Sequence, residues 1–192
     1  MRAPIILPAV IVASFAFAPD AGAQTTNPPA TTIENLQLRS DTVIVKGFTT
    51  VGTVPVGDAV ITVRSKESSD IGQSQKAYGI AVGFGKSGEP GRPENFPPKI
   101  SLAVDYDELD PLAGAIDYLG KITYDVTPLA GFDASFATKS GLRFSAHSAH
   151  RQGGIQAFIQ FGDAPKIPLA LEQLAQLRNL ITQAKTSLDA IK

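Results

Sequence analysis

Eight consecutive residues in the middle of the chain alternate strictly between small and large side chains. The small residues are Ala77, Gly79, Ala81 and Gly83, and the large residues are Tyr78, Ile80, Val82 and Phe84. Successive side chains of a β-strand point to opposite faces of its sheet, so each set shares one face. The large face predicts a hydrophobic core on that side of the sheet. The small face is either bare to solvent or closely approached by a helix, a ligand or another chain.

The neighbouring segments also have the pattern of strands joined by short connections. Besides 77–84, strands are predicted at 42–48, 59–64, 100–106, 132–138, 142–147 and 155–161. Glycines and Pro55 between the first two strands predict a turn, and residues 65–76 are a loop or an extension of that hairpin. The turns at 139–141 and 152–154 are too tight for the crossovers of a parallel sheet. The sheet is therefore predicted to be antiparallel.

Two segments repeat apolar residues at the spacing of an amphipathic helix. The first set is Leu109, Leu112, Ile116 and Leu119, and the second is Leu174, Leu177, Ile181, Ala184, Leu188 and Ile191. They predict a short helix that ends at Gly120 and a long helix over 169–191. The longer stripe either docks on the chain's own sheet or pairs two copies in a homodimer. Docking is favoured, because a coiled coil needs at least about three heptads and the stripe is shorter than that.

The two predicted helices align at an offset of 65 residues, and each follows a set of antiparallel strands. Four strands precede the first helix and three precede the second, which predicts a duplicated strand-meander-plus-helix unit. The chain is therefore expected to form one α+β domain over 33–192. This order of elements resembles the Whirly-type single-stranded-DNA-binding fold, in which a four-strand-plus-helix unit occurs twice. The resemblance covers the order of elements and carries over no functional residue.

The first 23 residues have the composition of a cleavable export signal. Arg2 supplies a positive charge, residues 5–17 are apolar, and Ala21-Gly22-Ala23 fits the small-residue cleavage site. The apolar run is shorter than the roughly 20 residues that span a bilayer. We therefore expect cleavage before Gln24, a disordered polar leader over 24–32, and a periplasmic or secreted mature protein without a membrane span.

The composition excludes several classes of protein. The chain has no cysteine, which excludes disulfides, a thiolate nucleophile, a cysteine-bound metal and a lipid-modified cysteine. Its 17 Lys and Arg residues nearly balance 18 Asp and Glu residues, for a net charge of −1. Nucleic-acid binding needs a strong basic excess, so no nucleic-acid partner is predicted. An exported domain without disulfides must be held together by burial.

Three groups of residues could carry chemistry, and each has a plainer interpretation. The segment Gly83–Ser87 lacks the first glycine of a phosphate-binding loop, because Ile80 takes its place. His147 and His150 are weak metal-ligand candidates, since residues three apart on a strand face opposite sides. The acidic residues within 105–110 are typical of a helix N-terminus, where the helix dipole favours carboxylates. No cofactor is predicted.

Three functions stay open at this point, and the first is favoured. It is a non-catalytic binding or structural module of the cell envelope that contacts an unknown envelope protein through the small face. The second is a carrier that holds a small apolar ligand between the large face and the helices. The third is a hydrolase centred on His147 and His150, with Asp133 or Asp163 as the nearby acid.

Overall fold

The computed structural model describes residues 31–86, 99–149 and 154–192. These residues form two four-stranded antiparallel sheets and three α-helices. The predicted α+β class is therefore confirmed. The expected export signal, nearly all of the expected leader, His150 and the segment 87–98 lie outside the described residues.

The first half of the chain is a short helix, a four-stranded meander and a second helix. These elements are α1 (Thr32–Gln37), β1 (Ile44–Val56), β2 (Ala59–Asp70), β3 (Gln75–Lys86), β4 (Ile100–Asp105) and α2 (Leu109–Lys121). A single 3-10 turn, Tyr106–Glu108, connects β4 to α2. The strands lie in the sheet in chain order, so β1 and β4 are its edges. Strand β2 continues to Asp70, so part of the segment 65–76 extends the hairpin.

Strand β1 is longer than predicted, because the expected turn residues lie inside it. Gly47, Gly52 and Pro55 are strand residues, and the chain reverses only at Gly57, where φ is +61°. Proline is tolerated here because β1 is an edge strand. The pairing with β2 shifts by one residue between Thr50 and Gly52, which marks a β-bulge.

The second half of the chain repeats the order of four strands and a helix. Its elements are β5 (Gly131–Ala137), β6 (Leu142–Ala149), β7 (Ile155–Phe161), β8 (Ile167–Leu169) and α3 (Leu171–Asp189). The sequence predicted three strands here and missed β8, which has only three residues and contains Pro168. A segment of that length shows no alternation, so only its pairing with β7 defines it. The two halves are therefore more alike in element order than the sequence indicated.

The two long helices join the halves through one hydrophobic core. Helices α2 and α3 pack against each other, and each also contacts the sheet of the other half: α3 contacts β1, β2 and β3, and α2 contacts β5 and β6. The rings of Phe84 and Phe161, one from each sheet, lie 6.1 Å apart. Buried residues of both sheets and both helices belong to a single cluster. The apolar surfaces of the two halves are therefore buried against each other.

The apolar stripe of α3 is buried within this core. Leu174, Leu177, Ile181, Ala184 and Leu188 are all at most 2 % exposed, whereas Ile191, the last predicted member of the stripe, lies beyond the end of the helix and is 55 % exposed. Docking on the chain's own sheet, the favoured interpretation, is therefore confirmed. A homodimer through α3 would have to use the other face of the helix.

Helix α1 was not predicted, and it begins inside the segment that was expected to be a polar leader. Thr31 is fully buried and caps the helix: its Oγ1 accepts a hydrogen bond from the Glu34 N–H at 3.2 Å. The Glu34 carboxylate accepts one in return from the Thr31 N–H at 2.9 Å, which completes a capping box. Ile33 and Leu36 pack against Ala77 on the small face of β3.

The buried carboxylate of Asp105 fastens α1 to the sheet. It accepts hydrogen bonds from the N–H groups of Thr32, at 2.8 Å, and Ile33, at 3.3 Å. The Lys139 ammonium lies 3.5 Å from the same carboxylate. Asp105 is also the N-cap of the 3-10 turn that leads into α2, in agreement with the expectation that residues 105–110 mark a helix N-terminus. The helix dipole of α1 favours the negative charge of Asp105 as well. A six-residue helix is unstable alone, so this contact is what places it.

A second buried carboxylate, that of Asp70, fixes the connection between α1 and β1. It accepts hydrogen bonds from Thr42 Oγ1 at 2.6 Å, from Arg39 at 2.7 Å and from the N–H of Gly72 at 2.9 Å. The Thr42 hydrogen bond is the main cause that lowers the pKa of Asp70, and burial opposes it. The carboxylate is therefore ionised at neutral pH and holds the start of β1 in place.

We predict opposite effects for alanine at two glycines. A Cβ at Gly79 would overlap the Val104 carbonyl oxygen and lie 2.7 Å from Ile33 Cδ1, so Gly79→Ala should cost about 1–3 kcal/mol of unfolding free energy. A Cβ at Gly114, within α2, meets nothing within 4 Å. Gly114→Ala should therefore stabilise the protein by about 0.5–1 kcal/mol. Urea denaturation measures both, and a neutral Gly79→Ala would contradict the close approach of α1.

Candidate functional site

Helix α1 covers only one part of the small face. Ala77 and Gly79 lie under the helix, whereas Ala81 and Gly83 form part of the floor of an open groove of about 360 Å³. Thr62, Ser101 and Ala103 complete the floor. These five residues share a face because they are cross-strand partners: Gly83 pairs with Thr62 and Ser101, and Ala81 pairs with Ala103. Small side chains keep this floor flat.

Positive side chains from two strands border the groove. Lys46 and Phe48 come from the edge strand β1, and Arg64 and Lys66 come from β2. Phe48 is paired with Lys66 across the two strands, which puts both side chains on the same face as the floor. The opposite border is α1, which contributes Glu34 and Gln37. We call this site, with its floor and its borders, the groove.

The charges around the groove are unbalanced toward positive. Burial lowers the pKa of the Lys66 ammonium, the neighbouring Lys46 lowers it further, and Glu34 opposes both. Among the described residues, the ammonium groups of Lys46 and Lys66 have no hydrogen bond and no ion pair within 4 Å. The Arg64 guanidinium lies 6.0 Å from the centre of the Phe48 ring, which is cation–π distance. The described lining of the groove therefore contains three cations and one carboxylate.

This set of groups is suited to binding an anion. Ammonium and guanidinium groups donate charge-assisted hydrogen bonds to carboxylates and phosphates, and the hydroxyls of Thr62 and Ser101 add neutral donors. Phe48 is 56 % exposed and gives the border an apolar surface. The groove is open on one side, so it fits part of a larger ligand better than it encloses a small one.

The large face is core and not a ligand surface. Ile80 and Val82 are fully buried, and they lie in the same cluster as Leu177 and Ile181 of α3. Tyr78 and Phe84 are partly buried against that cluster. The space that an apolar ligand would need between this face and α3 is therefore occupied by side chains.

His147 lies on an exposed face of the second sheet. Its partner across β5 is Asp133, as the sequence suggested for one of the two acids, and the Lys166 ammonium lies 3.8 Å from that Asp133. Asp163 lies in the turn after β7. Within 31–86, 99–149 and 154–192, no group of three or more His, Asp or Glu residues could hold a metal ion. The described residues thus offer His147 and Asp133 on an open surface.

The acidic residues near the start of α2 serve as structural links. Asp107 pairs with the Lys139 ammonium at 2.9 Å, and Glu108 accepts a hydrogen bond from the Lys139 N–H at 2.7 Å. Asp110 lies 3.5 Å from the Lys185 ammonium of α3. These contacts tie β4 and α2 to the turn between β5 and β6 and to α3.

The sequence located part of the groove and missed its charged border. Ala81 and Gly83 belong to the small face that it singled out, but Lys46, Arg64 and Lys66 were not singled out. The sequence did contain a pattern that points to Arg64 and Lys66. Thr62, Arg64 and Lys66 alternate with buried residues along β2, which places them on one polar face.

Comparison with protein-family models, with curated proteins and with solved structures finds no match. The resemblance to the Whirly-type fold therefore rests on the order of elements. No helix in the described part of the chain is long and apolar enough to cross a membrane.

We predict that the titration of Lys66 reports the charges of the groove. Lys46→Ala removes a like charge and should raise the pKa of Lys66, whereas Glu34→Gln removes an opposite charge and should lower it further. Heteronuclear NMR of the lysine side chains measures both shifts. Lys166→Ala, on the second sheet, is the control and should leave the titration unchanged. If the pKa of Lys66 is the same in the wild type and in all three variants, the arrangement of charges around the groove is wrong.

Proposed function

We propose that this chain is an exported, non-catalytic binding module of the cell envelope, and that its groove binds an anionic partner. The observation that carries this proposal is the position of Lys46 and Lys66 beside a flat floor of small residues. Burial is the main cause that lowers the pKa of Lys66, and repulsion by the Lys46 ammonium in the same groove lowers it further. A bound anion would relieve that repulsion and supply the missing partner.

The composition of the groove supports binding over catalysis. Its described lining contains one carboxylate, Glu34, and no histidine, so it lacks the acid–base pair that most hydrolytic mechanisms use. Its floor residues offer only the neutral hydroxyls of Thr62 and Ser101. The lining residues are therefore suited to recognise the charge and the shape of a bound partner.

The export part of this proposal rests on residues 1–23. We expect the protein that a suitable host exports to begin at Gln24, because the peptidase needs small side chains at positions 21 and 23. Intact-mass measurement of the exported protein determines where it starts. Ala23→Leu should block processing, and Ala18→Leu, outside the expected site, is the control. A soluble cytoplasmic protein that keeps its first residues would overturn this part.

The binding part is tested by titration with charged polymers. We expect the purified protein to bind poly-glutamate or polygalacturonate at low ionic strength, and not the neutral polymer dextran. The double variant Lys46→Ala/Lys66→Ala should weaken binding about tenfold, since an exposed and a half-buried charge pair contribute together about 1.4 kcal/mol. Binding should weaken as salt is added, because exposed charges are screened.

The matched control removes the same number of charges from the second sheet. Arg143→Ala/Lys166→Ala should leave the affinity within about twofold of the wild type, since neither residue borders the groove. The proposal fails if no anionic polymer binds more tightly than dextran. It also fails if both double variants lose affinity equally.

A further inference from the structure

The groove opens onto a free sheet edge. Strand β1 pairs with β2 on one side, and no strand among residues 31–86, 99–149 and 154–192 pairs with its other side. Residues 45–50 are exposed along this edge, and Val45 is 51 % exposed. The β-bulge after Thr50 bounds this regular stretch on one side. An exposed edge of this kind is a template for another extended strand.

The hydrogen-bonding direction of β1 follows from its pairing with β2. The Ile71 N–H donates to the Val43 carbonyl at 3.1 Å, so these two opposite residues bond to each other. Bonded and non-bonded pairs alternate along an antiparallel ladder. The N–H and C=O groups of Lys46 and Phe48 therefore point away from β2, toward the free edge. The side chains of these two residues border the groove.

Charge decides which kind of strand fits this edge. A strand added antiparallel to β1 would place every second side chain on the face of the groove, about 5 Å from its partner on β1. Carboxylates at those positions would lie next to the Lys46 ammonium on β1. They would also face the Lys66 ammonium, which lies one strand further in, on β2. Apolar residues at the intervening positions would lie beside Val45 on the other face.

A second copy of this chain fits the edge poorly. Two β1 strands paired antiparallel about a twofold axis would bring Lys46, Arg64 and Lys66 of both copies onto one face. Like charges on neighbouring strands are destabilising, so the edge repels its own copy and attracts an acidic one.

We propose that the free edge of β1 and the groove together bind an extended acidic peptide, which adds to the sheet as a fifth, antiparallel strand. This inference rests on the proposed function and names the partner of the same site. Backbone hydrogen bonds to Lys46 and Phe48 supply the pairing. Alternate carboxylates, directed at the cations of the groove, supply the specificity.

The probe is a capped octapeptide of alternating Glu and Val, with two N-methylated versions. Directly opposite residues of an antiparallel pair share both their face and their hydrogen-bonding direction. The Glu nitrogens must therefore face β1. Methylation of the Glu nitrogens should abolish binding, whereas methylation of the Val nitrogens should change the affinity less than about threefold. Hydrogen exchange should show new protection at the amides of Lys46 and Phe48.

Variants of one residue separate the backbone of the edge from its side chain. Phe48→Ala removes the ring and keeps the N–H, whereas Phe48→Pro removes both. Phe48→Pro should weaken peptide binding at least about tenfold more than Phe48→Ala. The methylated peptides test the same backbone hydrogen bonds with the wild-type protein. The inference can therefore still be tested if Phe48→Pro does not fold.

The outcomes distinguish this inference from the proposed function. If both methylated peptides bind like the parent, or the parent peptide binds without protecting the amides of Lys46 and Phe48, strand addition is wrong and anion binding stands. If neither peptide nor polymer binds, both are wrong. A dimer in light scattering whose Lys46 and Phe48 amides are protected without peptide would place a second copy at the edge and overturn the inference.

Discussion

The core that α2 and α3 build together is the constraint on which the rest of the molecule depends. Each helix follows the sheet of its own half in the chain and packs against the sheet of the other half. The two halves are therefore held together by helices that cross between them. No cysteine is present to supplement this burial. The inner face of the first sheet is filled by α3, and this leaves the outer face as the surface on which α1, the groove and the free edge are arranged.

The division of the small face depends on contacts between distant parts of the chain. Asp105 lies 73 residues after Thr32, yet its carboxylate caps α1 and sets the helix on β3. The absence of a side chain at Gly79 lets Ile33 approach the sheet. If α1 lay further along β3, it would cover Ala81 and Gly83 as well, and the groove would be closed. A buried carboxylate outside the groove thus determines how much of the small face is open.

Periodic segments were predictable from the sequence, and short or non-local features were not. The alternation at 77–84 and the stripes of α2 and α3 each extend over several residues of one face, so the strand, both helices and their buried sides were expected correctly, except for Ile191, which is exposed beyond the end of α3. Strand β8 is too short for a pattern, and α1 is stable only through Asp105. The groove combines residues of α1, β1, β2, β3 and β4, and its charges become neighbours only through the register of the sheet.

The β-bulge in β1 separates the part of the strand that borders the groove from the part that contributes to the core. Before the bulge, Thr50 pairs with Arg64 on the outer face, and after it Gly52 pairs with Val63, which is buried on the inner face. One extra residue therefore reverses the phase of the strand, and Val54 points into the core instead of toward solvent. The two ends of β1 therefore have separate structural roles. Residues before the bulge can change to suit a partner, while those after it keep the core intact.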